Sequence, residues 1–218
     1  MDPQDIVLEV SKNVDDIRYA DTKKTWTVSD RITIGWEKVL PLPPANTSET
    51  TIKELRYLSK LTSNITSRQR GLVKLVDKEP LDLLKPILKK NNLIFDRSQF
   101  KKLWNIVRPV IMNLKWQYNR PRPVQLSPLF GLKIDETESK TTHTPAYPSG
   151  HTVYTAMGAY LLAASYPTHT PSFFYCASLA GYARCLMGVH YPSDNAASMV
   201  IAGALWEDVK YRMFPELF

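Results

Sequence analysis

The sequence predicts an all-α, single-domain helical bundle, and three observations carry that prediction. Apolar residues recur at helical spacing in several long segments, most clearly Phe100, Leu103, Trp104, Val107, Ile111, Leu114 and Tyr118. No stretch of any strength alternates apolar and polar residues as a half-buried strand does. The 218 residues, 44% of them hydrophobic, supply enough apolar surface for one sizeable core.

Taken in order, residues 1–50 carry few helical signals and include Trp26, Trp36 and the proline-rich run from Leu40 to Thr47. They read as an extended lead-in packed on the core, with the helical domain proper over 51–218. Thr47 or Ser48 caps a first helix, whose Ile52, Leu55, Leu58 and Leu61 share a face. Amphipathic pieces follow over Ser67–Val76 and Leu81–Lys90. A long helix begins near Ser98, and Pro109, opposite its apolar stripe on the solvent side, bends rather than ends it. Lys115 lies roughly 60° from the centre of that stripe, at the edge of the buried face. Arg122 comes just past the helix in Asn119-Arg-Pro-Arg-Pro123, where the prolines impose an extended or turn conformation.

Residues 124–147 read as a surface loop with a charged, threonine-rich middle over Asp135–Thr144. Ser149 is then placed as the N-cap of a helix opened by Gly150 and His151, with Val153, Met157, Tyr160, Leu161 and Ala164 on one face. Such a start aims free backbone N–H groups at any anion in front of it. Pro171–Gly188 is apolar nearly all round and reads as a buried helix, with Arg184 on the face of Phe173, Ala177, Ala180 and Met187. A last helix runs from near Ser193 to about Met213, with Val200, Ile201, Ala204 and Leu205 inward.

Charge is unevenly spread: the chain carries +7, but residues 51–122 alone carry about +12. Most of those lysines read as solvated helix faces; otherwise such a field suits an anionic substrate, nucleic acid or an acidic membrane surface. Cys176 and Cys185 fall in an apolar helical stretch and read as buried free thiols. The start, Met1-Asp-Pro-Gln-Asp, lacks the basic and apolar regions of a signal peptide. Ala156–Tyr166 and Ala196–Trp206 fall short of the roughly 20 apolar residues a bilayer requires. A soluble, cytoplasmic protein is therefore expected, with a secreted or periplasmic one open if a leader has been removed. The triplets at Asn46 and Asn64 read as chance matches, and His143 and His169, in polar loops, receive no role.

Between Lys140 and Asp194 the one formal charge is Arg184. A buried guanidinium there requires a carboxylate from elsewhere or a bound anion. Three clusters result, each at a helix end: Lys115 with Arg122; Ser149, Gly150 and His151; Arg184 with His190 and Asp194. Together they offer three fixed positive charges, a helix N-terminus and a hydroxyl to one anion, the donor shell that phosphoryl transfer requires. His190 and Asp194 are four apart, so the carboxylate can accept from Nδ1 and leave Nε2 free as a nucleophile. His151 is then a candidate acid and base. Each signal alone has a common structural reading, as a His–Asp pair or a helix cap.

In combination, Lys115-x6-Arg122-Pro123, Pro148-Ser-Gly-His151 and Arg184-x5-His190-x3-Asp194 resemble the three-part signature of the type 2 phosphatidic acid phosphatase superfamily. Within it the chain is similar to soluble bacterial class A nonspecific acid phosphatases and, more distantly, to vanadium-dependent haloperoxidases. The resemblance implies their all-helical fold and a small phosphoester substrate. It implies that Lys115, Arg122, Ser149, Gly150 and Arg184 bind phosphate, that His190 forms a phosphohistidine, that His151 acts as acid and base, and that Asp194 orients His190. It implies no metal and no cofactor, although vanadate or phosphate can occupy such a site. No nucleic-acid partner is implied, and a homo-oligomer is left open. Ala183 departs from the pattern, which usually has serine before the arginine. The alternatives are a haloperoxidase, a lipid phosphate phosphatase, and a non-catalytic phosphate-binding protein.

Overall fold

The computed structural model describes Val14, Ile17, residues 25–137, Ser139 and residues 142–218. The first five residues and part of the threonine-rich loop lie outside the described residues, as does most of the lead-in before residue 25. The described helices are α1 (Glu49–Thr62), α2 (Ser67–Lys78), α3 (Lys85–Lys90), α4 (Arg97–Tyr118), the single turn α5 (Pro123–Leu126), α6 (Gly150–Ser165), α7 (Thr170–Leu186) and α8 (Pro192–Met213). Among the described residues there is no strand, so the fold is all-α.

Local chemistry sets the helix starts. Ser48 Oγ accepts from Thr51 N–H at 3.2 Å and opens α1. Thr66 and Gln69 satisfy each other's backbone N–H groups and open α2. Asp96 Oδ1 accepts from the N–H groups of Ser98 and Gln99 at 2.8 and 3.0 Å and opens α4. α4 continues through the half-buried Pro109 and stops where Asn119 takes a left-handed conformation, φ 44°.

The stripe on α4 faces the core as expected: Phe100, Leu103, Val107, Ile111 and Leu114 are buried. Each such side chain contributes about 1.5–3 kcal/mol relative to exposure. α6 is the central element, packed between α7 and α8. It also meets the Pro80–Leu84 turn so closely that a Cβ on Gly158 would lie 2.6 Å from Leu81 Cδ2 and force that side chain to shift. Leu40 reaches the same core, and the Tyr118 and Tyr147 hydroxyls donate to the carbonyls of Leu40 and Pro41.

Several sequence expectations change. The amphipathic piece over 81–90 is divided between the 3-10 turn Pro80–Leu84 and α3, because Pro86 falls at the start of the second. α2 extends past Val76 and so carries Asp77. Val200 faces solvent at 53% exposure; Ala197, Ser198, Ile201, Ala202, Leu205 and Val209 form the inward face of α8 instead. Residues 124–147 are only partly a surface loop: they open with α5 and the turn Ser127–Phe130, and Pro145–Ser149 are buried. The carbonyls of Pro145 and Ala146 accept from Lys115, and that of the neighbouring Thr144 accepts from Arg122.

Candidate active site

The elements deliver the three clusters to one end of α6. α4 places Lys115 near its C-terminus, the turn after it places Arg122, the start of α6 presents Gly150 and His151, and the α7–α8 connection carries His190. That connection turns at Gly188, where φ is +71° and a Cβ would lie 2.5 Å from Ile134 Cγ2. Only glycine fits the turn.

His190 is 2% exposed. Its Nδ1 lies 3.1 Å from Asp194 Oδ2, which also accepts from Tyr191 N–H at 3.0 Å. Asp194 Oδ1 accepts from Arg120 Nη1 at 2.6 Å. With Nδ1–H donated to a carboxylate, Nε2 carries the lone pair. Arg122 Nη1 lies 2.9 Å from that Nε2 and also donates to Val189 O at 2.7 Å, while Arg122 Nε and Nη2 donate to Thr144 O at 3.0 and 2.8 Å. Lys115, expected at the edge of its helix face, is instead 5% exposed, and its Nζ donates to Pro145 O at 2.7 Å. The carbonyls of Thr144, Pro145 and Val189 thus hold both cations in place.

Arg184 is fully buried and does have a carboxylate from elsewhere: its Nη1 donates to Asp77 Oδ1 at 2.8 Å. Ser149 stands at the N-cap position, but its hydroxyl does not cap the helix. Its Oγ lies 3.0 Å from Thr152 Oγ1, and its N–H donates to Ser198 Oγ at 2.8 Å. A cavity of about 410 Å³ opens onto Lys115, Arg122, Gly150, His151 and His190, with Trp104, Arg108, Met112 and Tyr154 among its outer walls. Ser149, Arg184 and Asp194 are buried and do not line that cavity.

The sequence comparison bears on this geometry. The family model described as PAP2 superfamily matches residues 103–215, just over half the chain and all three clusters. The chain belongs to the PAP2 superfamily. Comparison with curated proteins returns no match. Members of the superfamily are phosphatases or related enzymes, which supports an enzyme here. Among its described residues no helix is long and apolar enough to cross a membrane, and no group of three or more His, Cys, Asp or Glu gathers that could hold a metal ion.

The electrostatics of the PAP2 site are those of cations crowded together with burial. Burial, then Arg122, Lys115 and Arg184, hold His190 well below the usual imidazole range, so it is neutral. Burial, then Arg184 and Lys115, push His151 down to about 3 even though Asp77 works the other way. Burial and Arg122 hold Lys115 well below the ordinary lysine range. Arg184 is lowered to about 10, first by burial and then by Arg122, with Asp77 opposing. A tetrahedral anion relieves all of these at once.

The two thiols are buried as expected, and burial raises Cys176 to about 11 and Cys185 to about 12, which leaves them unreactive. Sequence reasoning missed Asp77, Arg120, Glu54 and Ser198. Of these only Arg120 had a local signal, as the other arginine of the Arg-Pro-Arg-Pro run.

Proposed function

We propose that this PAP2 enzyme hydrolyses phosphate monoesters through a covalent phosphohistidine on His190. The observation that carries the reading is the hydrogen-bond pattern of that imidazole: Nδ1 on Asp194, Nε2 toward a cavity walled by Lys115, Arg122, Gly150 and His151. The phosphate of the substrate takes Lys115, Arg122, the N-terminus of α6 and the field of Arg184 as its donor shell, and draws Arg122 off Nε2 onto its own oxygens. Nε2 then attacks phosphorus, forming the N–P bond as the P–O bond to the leaving group breaks. Protonated His151 gives its proton to the departing oxygen. Neutral His151 next takes a proton from water, the resulting oxygen attacks phosphorus, and the N–P bond breaks to return His190 and release inorganic phosphate. The positive charge that offsets the transition state comes from side chains, so a metal ion has no step in this reading.

The soluble class A acid phosphatases are the members whose substrates and chemistry this reading follows. The test is phosphate release from an aryl phosphate by the wild type and His190→Ala, with sulfate binding measured in both. Turnover lost with sulfate binding retained is the expected result. Persistent turnover in His190→Ala overturns the nucleophile, and halide oxidation with vanadate and peroxide in the absence of phosphatase turnover overturns the reaction.

A further inference from the structure

Asp194 also belongs to a second polar network, whose other members carry no role in the three motifs and do not line the cavity. Its centre is Arg120, whose side chain is 1% exposed. Nη1 donates to Asp194 Oδ1 at 2.6 Å and to Ser193 Oγ at 2.8 Å. Nη2 donates to Glu54 Oε2 at 3.2 Å and lies 3.4 Å from Thr51 Oγ1. The guanidinium Cζ also lies 3.8 Å from the centroid of the Tyr191 ring. Glu54, on α1, in turn accepts from Ser193 N–H at 2.6 Å and from Ser193 Oγ at 2.8 Å, so a carboxylate from another helix satisfies the first turn of α8.

We propose that Arg120 and Glu54 are positioning residues, a buried guanidinium–carboxylate clamp that fixes the Asp194 side chain so that His190 presents Nε2 to the cavity. The reasoning is geometric and rests on the phosphohistidine reading for its catalytic consequence. A carboxylate held only through Oδ2 keeps a soft torsion about its last bond, and Oδ2 must serve both Tyr191 N–H and His190 Nδ1–H. Arg120 fixes the other oxygen, which settles the plane of the carboxylate and with it the tautomer and tilt of the imidazole. Burial then makes the clamp rigid, because a guanidinium removed from water holds every partner it has. Arg120 does not line the cavity and touches no reacting atom. Glu54 fixes Arg120 in turn, which is how α1, far from the motifs in sequence, bears on the nucleophile.

A purely structural tie between α1 and α8 is the rival account, and the two differ in what they move. The experiment compares Arg120→Gln, Arg120→Lys and the milder Glu54→Gln with wild type, each confirmed folded by near-ultraviolet circular dichroism. Nitrogen-15 shifts of the His190 ring report the tautomer, while kcat, KM and sulfate affinity are measured separately. The expected result is a single tautomer in wild type and a mixture in Arg120→Gln, with kcat down by about 10–100-fold and sulfate affinity within about twofold. Glu54→Gln falls between, and Arg120→Lys restores part of kcat by keeping one contact to Asp194. If Arg120→Gln does not fold, Glu54→Gln carries the test by the same readouts. An unchanged tautomer and unchanged kcat in a folded variant overturn the proposal, as does a loss of sulfate affinity that matches the loss of kcat. Should wild type release no phosphate, the tautomer shift still decides the clamp while the reaction class fails separately.

Discussion

Anion binding to this site takes up protons, and His151 supplies most of the effect in mild acid. With its pKa pushed down to about 3, His151 is roughly 1% protonated at pH 5. A tetrahedral dianion held by the surrounding cations retains on the order of one uncompensated charge near the imidazole. At about 4 Å and an effective dielectric near 20, that charge stabilises the imidazolium by about 4 kcal/mol. At about 1.4 kcal/mol per pK unit this is close to 3 units, enough to return His151 to about 6. Sulfate is the right probe because it stays dianionic throughout this range and contributes no proton of its own. Isothermal titration calorimetry in two buffers of different ionisation heat, at pH 5, therefore reads close to one proton taken up per sulfate. His151→Asn removes that share and leaves what Lys115 contributes, which grows toward higher pH as its depressed pKa is restored. Uptake near zero at pH 5, or uptake unchanged in His151→Asn, would mean that the bound anion does not return a proton to His151. It would also remove the physical basis for His151 as a proton donor, since that role requires the substrate to bring the imidazole back into its working range.

Two further outcomes follow from the same charges. The unfolded chain protonates His151 and His190 near their ordinary range while the native state resists it, so stability falls as pH drops below about 6.5. The slope approaches 1.4 kcal/mol per pH unit for each histidine and persists for His151 down to about 3. Urea unfolding at pH 7, 6 and 5 measures this, saturating sulfate flattens the dependence, and a profile level from pH 7 to 5 contradicts it. Asp77→Asn removes the carboxylate 2.8 Å from buried Arg184. Because the Asp77 side chain is 30% exposed, the loss is about 2 kcal/mol rather than the ~3–5 of a fully buried pair. Thermal melts with and without sulfate then show a larger rise for the variant than for wild type, as the anion takes over the missing charge; equal rises would mean that Arg184 does not sense the bound anion.

Most helices, and the polar clusters at their ends, were legible in the order of the residues alone. Apolar spacing on α4, the capping side chain at Ser48, and three short polar clusters are all signals between residues a few positions apart. Local geometry alone brings such residues together. His190 and Asp194 meet because the carboxylate in the first turn of α8 reaches back past the Tyr191 N-cap to the residue just ahead of the helix. Which groups stand behind those clusters emerges only from packing between distant segments. Arg184 was an isolated charge in the sequence and finds Asp77 across 107 residues; Arg120 finds Glu54 across 66. The loop carbonyls that hold Lys115 and Arg122 lie about 20–30 residues away in a stretch that reads as ordinary surface loop. No periodicity or propensity encodes such pairs. The Arg184 pair depends on how α2 packs against α7, the Arg120 pair on how α1 meets the turn after α4, and the loop carbonyls on how residues 144–145 fold over that same turn; burial then makes the partner obligatory, because a charge removed from water cannot go without one.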